Sequence, residues 1–198
     1  MKQESQTNQE LFTACYDGKS KKVLRAIRKG ADVNIVGGSG WTPLHQACQF
    51  GKGNPMEVIN VLLDQNANID AQNDNGETPL HLACRNLYVD IAKTLLIRGA
   101  SPNIQTFSHK HTPLHCSVKK SPKALEIIKL LYEFGTNVHH QDYEGCTALH
   151  SSCAVGEEAM EISRLLVDCG ADINCQSNHG TPIFLLRHHH GNELADSL

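Results

Sequence analysis

No stretch of this chain approaches the roughly 20 apolar residues needed to span a bilayer. The first ten residues, MKQESQTNQE, are polar and lack the apolar segment of a secretory signal. Both absences lead to the expectation of an intracellular, cytoplasmic protein without membrane insertion. Catalytic signatures are missing as well: there is no Gly-rich phosphate loop, no Gly-x-Ser-x-Gly and no His-Glu-x-x-His. His115 and Cys116 are adjacent, but consecutive residues on a helix point apart, which excludes them as a base and nucleophile. There is no Cys-x-x-Cys spacing to hold zinc. No charge of one sign dominates, the formal net charge being −3. The basic N-terminal portion lacks the interleaved aromatics of a nucleic-acid surface. These absences point to a chain with no catalytic residues, no resident metal, no cofactor and no nucleic-acid partner.

What is present is periodic. Thr-Pro-Leu-His stands at 42–45, 78–81 and 112–115, with Thr-Ala-Leu-His at 147–150, in steps of 36, 34 and 35 residues. A second phrase keeps the same step, from Gly30-Ala31-Asp32-Val33-Asn34 through Asn66–Asp70, Gly99–Asn103 and Gly135–His139 to Gly170-Ala171-Asp172-Ile173-Asn174. A period in this range marks stacked copies of one small unit.

The unit from Asn73 to Gln105 shows what each copy folds into. Asp74-Asn75-Gly76 has the chemistry of a tight hairpin. Thr78 suits a helix N-cap, and Pro79 the first helical position, where its missing N–H costs nothing. Leu80, Leu82, Ala83 and Cys84 follow on a short helix. Asp90–Ile97 forms a second, with Ile91, Leu95 and Leu96 on one face. Gly99 supplies the stop. Two such helices bury too little to offset their ordering entropy, so the pairs Leu62/Leu63, Leu95/Leu96, Leu130/Leu131 and Leu165/Leu166 must be covered by neighbouring units as one continuous core.

The combination of Gly-x-Thr-Pro-Leu-His, a small pair such as Ala47-Cys48 or Ala83-Cys84, an apolar second helix and Gly-Ala-Asp-Val-Asn resembles the ankyrin repeat. The resemblance covers residues 8–198. It implies an all-α ankyrin-repeat solenoid of hairpin–helix–turn–helix units stacked side by side in a single domain, 1–198. The repeats fall near 8–36 (an N-terminal cap without a clear hairpin), 37–72, 73–105, 106–141 and 142–176, with an incomplete one at 177–198 that opens Gly180-Thr181-Pro182-Ile183-Phe184. Extra residues lie between the helices at Gly51–Pro55, around Ser121-Pro122 and around Gly156-Glu157-Glu158. The third hairpin replaces its Gly with Ser108-His109-Lys110-His111. The last repeat stops inside its second helix, Asn192–Leu198, as expected of a fragment of a longer protein.

Cys15, Cys48, Cys84 and Cys153 occupy one slot of successive repeats, filled by Val118 in the remaining one. Disulfides need Cα atoms within about 7 Å, whereas stacked helices sit about 10 Å apart, so these read as buried thiols in a reducing compartment. By the resemblance, His45, His81, His115 and His150 hydrogen-bond at the hairpin–helix junction and to the neighbouring repeat. His188-His189-His190, about 100° apart on a helix, cannot converge on one ion. His109, His111, His139 and His140, on adjacent hairpins, are the one histidine group placed to meet. Residues 1–36 carry seven cations against four anions, +3, and residues 140–174 seven anions against Arg164, −6. The basic end is read as a capping repeat with a solvated face. The resemblance also marks Asn34 and Asn174 as asparagines of the type hydroxylated in animal cells.

Ankyrin proteins bind other proteins with hairpin tips and the exposed first-helix face. Mapped here, that implies Trp41, Gln49 and Phe50; then Asp74, Glu77, Arg85 and Asn86; then His109, His111, Lys119 and Lys120; then Tyr143, Cys146 and Val155. Trp, Phe and Tyr in that set have the composition of interface anchors. The competing account packs Trp41 on its own hairpin and Phe50 on the next repeat. The expectation is a non-catalytic module, monomeric alone, that presents a rigid concave surface to a protein partner. Two other assignments fit the same repeats: the regulatory or targeting portion of a larger enzyme, ubiquitin-ligase adaptor or secreted effector, and a self-assembling scaffold or channel cytoplasmic domain.

Overall fold

The computed structural model describes residues 2–50, 53–155 and 160–182, with the side chains of residues 2–5 and of Phe50 outside that set. Five helix pairs follow one another. They are α1 (Lys2–Tyr16) with α2 (Ser20–Arg28), α3 (Pro43–Phe50) with α4 (Pro55–Asp64), and α5 (Pro79–Arg85) with α6 (Val89–Ile97). Then come α7 (Pro113–Ser117) with α8 (Pro122–Glu133), and α9 (Ala148–Val155) with α10 (Met160–Asp168). Among the described residues there is no strand, only an isolated bridge between Ser177 and Gly180. None of these helices is long and apolar enough to cross a membrane. The expected insertion at Gly156–Glu158, the triplet His188–His190 and the helix Asn192–Leu198 lie outside the described residues.

Each repeated phrase has a local job. At Thr42 the backbone N–H donates to His45 Nδ1 (3.2 Å), while the His45 N–H returns to Thr42 Oγ1 (3.4 Å). The same reciprocal cap closes Thr78 with His81, and Thr112 and Thr147 engage His115 and His150 through Nδ1 at 3.3 and 3.1 Å. Because Nδ1 accepts, the ring proton sits on Nε2 and donates to a carbonyl of the next hairpin. Those carbonyls are Glu77 for His45 (2.9 Å), Cys146 for His115 (3.2 Å) and Gly180 for His150 (3.2 Å). One neutral imidazole thus caps its helix and ties it to the following repeat, the structural role its sequence position implies.

The second phrase ends each second helix. Gly99, at φ +96°, lets Ala100 N–H reach Leu95 O (2.9 Å) and Gly99 N–H reach Leu96 O (3.0 Å), a paired C-cap that needs a left-handed residue. Asn66 does the same at φ +63°. The asparagines then bridge repeats: Asn34 Oδ1 accepts from Asn68 N–H (2.7 Å), and its Nδ2 donates to Asn66 O (3.1 Å). The Asn34 amide is therefore already engaged on both sides.

The chain packs as two units, Met1–Ser101 and Pro102–Leu198. In the first, α1 lies on α2 and α3, α3 on α4 and α5, and α2 on α4. In the second, α7 lies on α8 and α9, and α10 on both α8 and α9. Within each unit, first helices pack on first helices and second helices on second helices. Leu62, Leu95 and Leu96 fill the first core, and Ile127, Ile128, Leu131 and Leu166 the second. Leu63 and Leu130, each 9 % exposed, complete their pairs, but Leu165 is only half-buried. The four slot cysteines reach 2 % exposure or less. Burial pushes the Cys15 thiol up to about 12 and Cys153 up to about 11, so both stay protonated and inert.

Some elements differ from the sequence expectation. α1 runs back to Lys2, because Thr7 (buried), Leu11 and Ala14 continue one apolar face into the polar N-terminal run. α7 stops at Ser117, as Val118 turns extended (ψ 98°). The extra residues there lengthen α8 to 12 residues, capped by Ser121. The insertion near Gly53 does not stand free, since Asn54 N–H donates to Gly18 O of the preceding repeat (3.3 Å). On α2 the cations Lys21, Lys22, Arg25 and Arg28 are solvent-exposed while Val23 and Ala26 are buried, as a capping repeat requires.

Adjacent hairpins are joined by main-chain bonds: Asp74 N–H to Ser39 O (3.1 Å), Tyr143 N–H to His109 O (3.2 Å) and Asn178 N–H to Glu144 O (2.8 Å). At the first of these, a Cβ on Gly40 (φ +73°) would stand 2.5 Å from Asp74 N. Gly40→Ala should therefore cost about 1–3 kcal/mol in backbone strain, plus the broken hairpin junction. Gly38→Ala, which meets nothing within 4 Å, should melt like the wild type. Equal melting temperatures for the two variants would contradict the junction.

Candidate functional site

In the first unit the residues mapped to the binding face are largely tied to one another. Trp41 is half-buried, its ring tilted at 42° over His45 (centroids 6.1 Å apart). With Gln9, Phe12, Ser39 and Gln46 it lines a shallow groove. Gln49 accepts from Asn86 Nδ2 across the α3–α5 contact (3.0 Å). Arg85 forms an ion pair with Glu77. Asp74 is exposed at its hairpin tip, and the Phe50 side chain lies outside the described residues.

Two of the mapped residues are not surface side chains. Glu77 is 7 % exposed: it turns inward, accepts from Asn73 Nδ2 (3.1 Å) and meets Arg85. Burial by itself raises its pKa, but the Asn73 and Arg85 hydrogen bonds outweigh that and hold it below the usual carboxylate range. Cys146 is 8 % exposed, on the return arm of its hairpin, and burial pushes its thiol up. Both occupy the position just before the threonine cap, where the side chain faces into the hairpin–helix junction. Val155, at the end of α9, is half-buried.

In the second unit the hairpin tips are open. Tyr143 is 60 % exposed, with Lys110 Nζ 4.7 Å above its ring. His109 is exposed and stacks on His111 at 5.2 Å, which in turn stacks on His115 at 5.5 Å. His111 Nε2 lies 3.5 Å from Asp142 Oδ2. The structure thus draws His109 and His111 into a ring stack, with His139 exposed and His140 half-buried on the following turn. Lys119 and Lys120 are exposed on the link between α7 and α8.

The sequence reading missed two residues of this surface. Phe107 is 57 % exposed, beside the irregular third hairpin tip, where Lys110 adopts φ +57°. The signal was an aromatic inside a polar turn that has lost its glycine. Phe12 lies in the Trp41 groove, close enough that a Cβ on Gly37 would meet its ring at 2.9 Å. A helix-face aromatic one repeat away from Trp41 carries no local sign of that contact.

Comparisons with known proteins agree with this architecture. The chain matches the family described as ankyrin repeats (3 copies) over residues 11–106 and 105–177. It is 33% identical over 137 residues to a protein of Acanthamoeba polyphaga mimivirus named as an ankyrin repeat protein, covering 69% of this chain and 17% of that protein. It is 32% identical over 97 residues to a protein of Rickettsia felis with the same description, covering 46% of this chain and 42% of that one. The chain thus spans less than half the length of either relative. Ankyrin repeats generally serve protein–protein interaction and are typically non-catalytic. On the repeat phrases, the helix pairs they cap and the match along most of its length, this chain belongs to the ankyrin repeat family.

Proposed function

We propose that this chain is a non-catalytic protein-binding module whose hairpin tips in the second unit engage a protein partner. One observation carries the reading: Phe107 and Tyr143, on adjacent hairpins, are both more than half exposed, with Lys110 poised over Tyr143. Two open aromatic rings and a cation on backbone fixed by hairpin-to-hairpin bonds form an anchor patch that loses little entropy on binding. The chain works as a monomer in a reducing, cytoplasmic compartment, where its buried thiols persist.

Affinity capture tests this. Phe107→Ala/Tyr143→Ala/Lys110→Glu should lose the captured protein. Tyr132→Ala/Phe134→Ala, which removes exposed rings at the end of α8, should retain it. Circular dichroism of each variant establishes equal folding. Undiminished capture by the first variant would remove the hairpin tips from the binding face.

A second reading rests on the relatives' lengths: the repeats target or regulate another portion of a longer protein. The same triple variant then disturbs the activity of that portion in the full reading frame.

A further inference from the structure

Glu144, Cys146 and His179 lie 35 residues apart at most, yet their ligand atoms come within 4.8 Å of one another. The hairpin 142–146 sets the first two. Asp142 Oδ1 accepts from Glu144 N–H (2.8 Å) and from Cys146 N–H (2.8 Å), closing the turn that carries both residues. The following hairpin delivers the third. Asn178 N–H bonds to Glu144 O (2.8 Å), Ser177 Oγ accepts from His179 N–H (3.2 Å), and His179 Nε2 reaches Glu144 Oε2 at 2.9 Å. Cys146 is buried at the base, and Glu144 and His179 stand exposed at the mouth. The backbone, together with the His179–Glu144 contact and a Ser177 hydrogen bond to Cys146, thus holds a thiol, an imidazole and a carboxylate around one point.

We infer that Glu144, Cys146 and His179 form a binding site for a first-row transition-metal dication, zinc foremost, which clips these two hairpins together. Thiolate, imidazole and carboxylate are the ligand set that zinc accepts in tetrahedral coordination, and a thiolate disfavours magnesium and calcium. Three protein ligands leave a fourth position at the exposed mouth for water. Binding exchanges the Cys146 thiol proton, released to solvent, for a metal–sulfur bond, with no change of oxidation state. The metal would add a further link between the last two described hairpins, beside the Asn178–Glu144 main-chain bond and the His179–Glu144 contact. Nothing in the ankyrin phrases supplies these ligands: Glu144 and His179 occupy hairpin tips, where the repeat leaves residue choice free.

The test is a titration of the untagged chain with Co²⁺, which reports a thiolate ligand by its charge-transfer absorption and tetrahedral geometry by its visible bands. One equivalent should produce both, Zn²⁺ should abolish them by displacement, and Zn²⁺ should raise the melting temperature. Cys146→Ser, nearly isosteric, should lose the charge-transfer band. His179→Ala and Glu144→Gln should each weaken Co²⁺ binding about tenfold or more, with folding checked by circular dichroism. Cys175→Ser, on the approach to the second hairpin, should leave the band intact. Overturning results are a wild type without a charge-transfer band, a band that survives Cys146→Ser, or equal loss in Cys175→Ser.

Discussion

Leu95→Ala should lower the stability of this protein by about 3 kcal/mol, and the melting temperature by roughly 6–12 °C. Leu95 is wholly buried in α6, alongside Ile91, Ala92 and Leu96, and α6 packs against α5. Removing three carbons there loses both the transfer free energy and the contacts of the atoms that lined them, because the neighbouring backbone is pinned by its caps and cannot close the hole. Repeats draw their stability from their neighbours, so the loss spreads to the adjoining helices. Lys93→Ala on the exposed face of the same helix should stay within about 0.5 kcal/mol of the wild type. Thermal melts of the three proteins decide it, and a Leu95→Ala variant melting with the wild type would show that the leucine pairs do not form the core.

Acid should begin to destabilise the protein before its carboxylates titrate. The capping histidines are neutral because Nδ1 accepts a backbone N–H; a proton on Nδ1 would place two donors face to face. Burial lowers the pKa of His45, His115 and His150, and takes His115 down to about 4. Around His115, the Cys146 carbonyl and Asp142 favour the charged form, and His111 and His140 oppose it. Glu77 favours the charged form of His45.

The sign follows from proton uptake. Above pH 6.5 folded and unfolded chains are both neutral at these rings, and stability does not change with pH. As pH falls from 6.5 towards 4 only the unfolded chain takes up protons, so stability is lost across that window. His115 alone accounts for about 3 kcal/mol by pH 4. Glu77, whose pKa is held low, adds a further loss at still lower pH. Urea melts in EDTA at pH 7, 6, 5 and 4.5 should show a midpoint that falls steadily below pH 6.5. A midpoint unchanged from pH 7 to pH 5 would mean that the rings accept protons in place, contrary to their hydrogen bonds.

The repeat itself carried most of the fold. Thr78, His81 and Pro79 specify a cap by their own side chains, Gly99 and Asn66 specify a left-handed stop, and Leu95 with Leu96 specify a buried face. Each acts within a few residues of itself or one repeat away, which is the range over which sequence periodicity speaks. The exposure of Tyr143 and the cationic face of α2 were legible on the same basis.

Other features depend on how neighbouring hairpins register against each other, and no local pattern encodes that. Glu77 and Cys146 belong to surface positions by motif, yet they turn inward because the hairpin must close on the carbonyls that His45 and His115 address. Phe107 is exposed at its hairpin tip, as Tyr143 is at the next, and Phe12 meets the Trp41 groove only through the packing of α1 on α3. Glu144, Cys146 and His179 converge because Asn178 N–H binds Glu144 O, a main-chain bond indifferent to side-chain identity. The sequence by itself determined the unit, its caps and its core. The tertiary structure alone decided which side chains the stacked hairpins brought within reach of one another, since that proximity is set by backbone geometry between repeats.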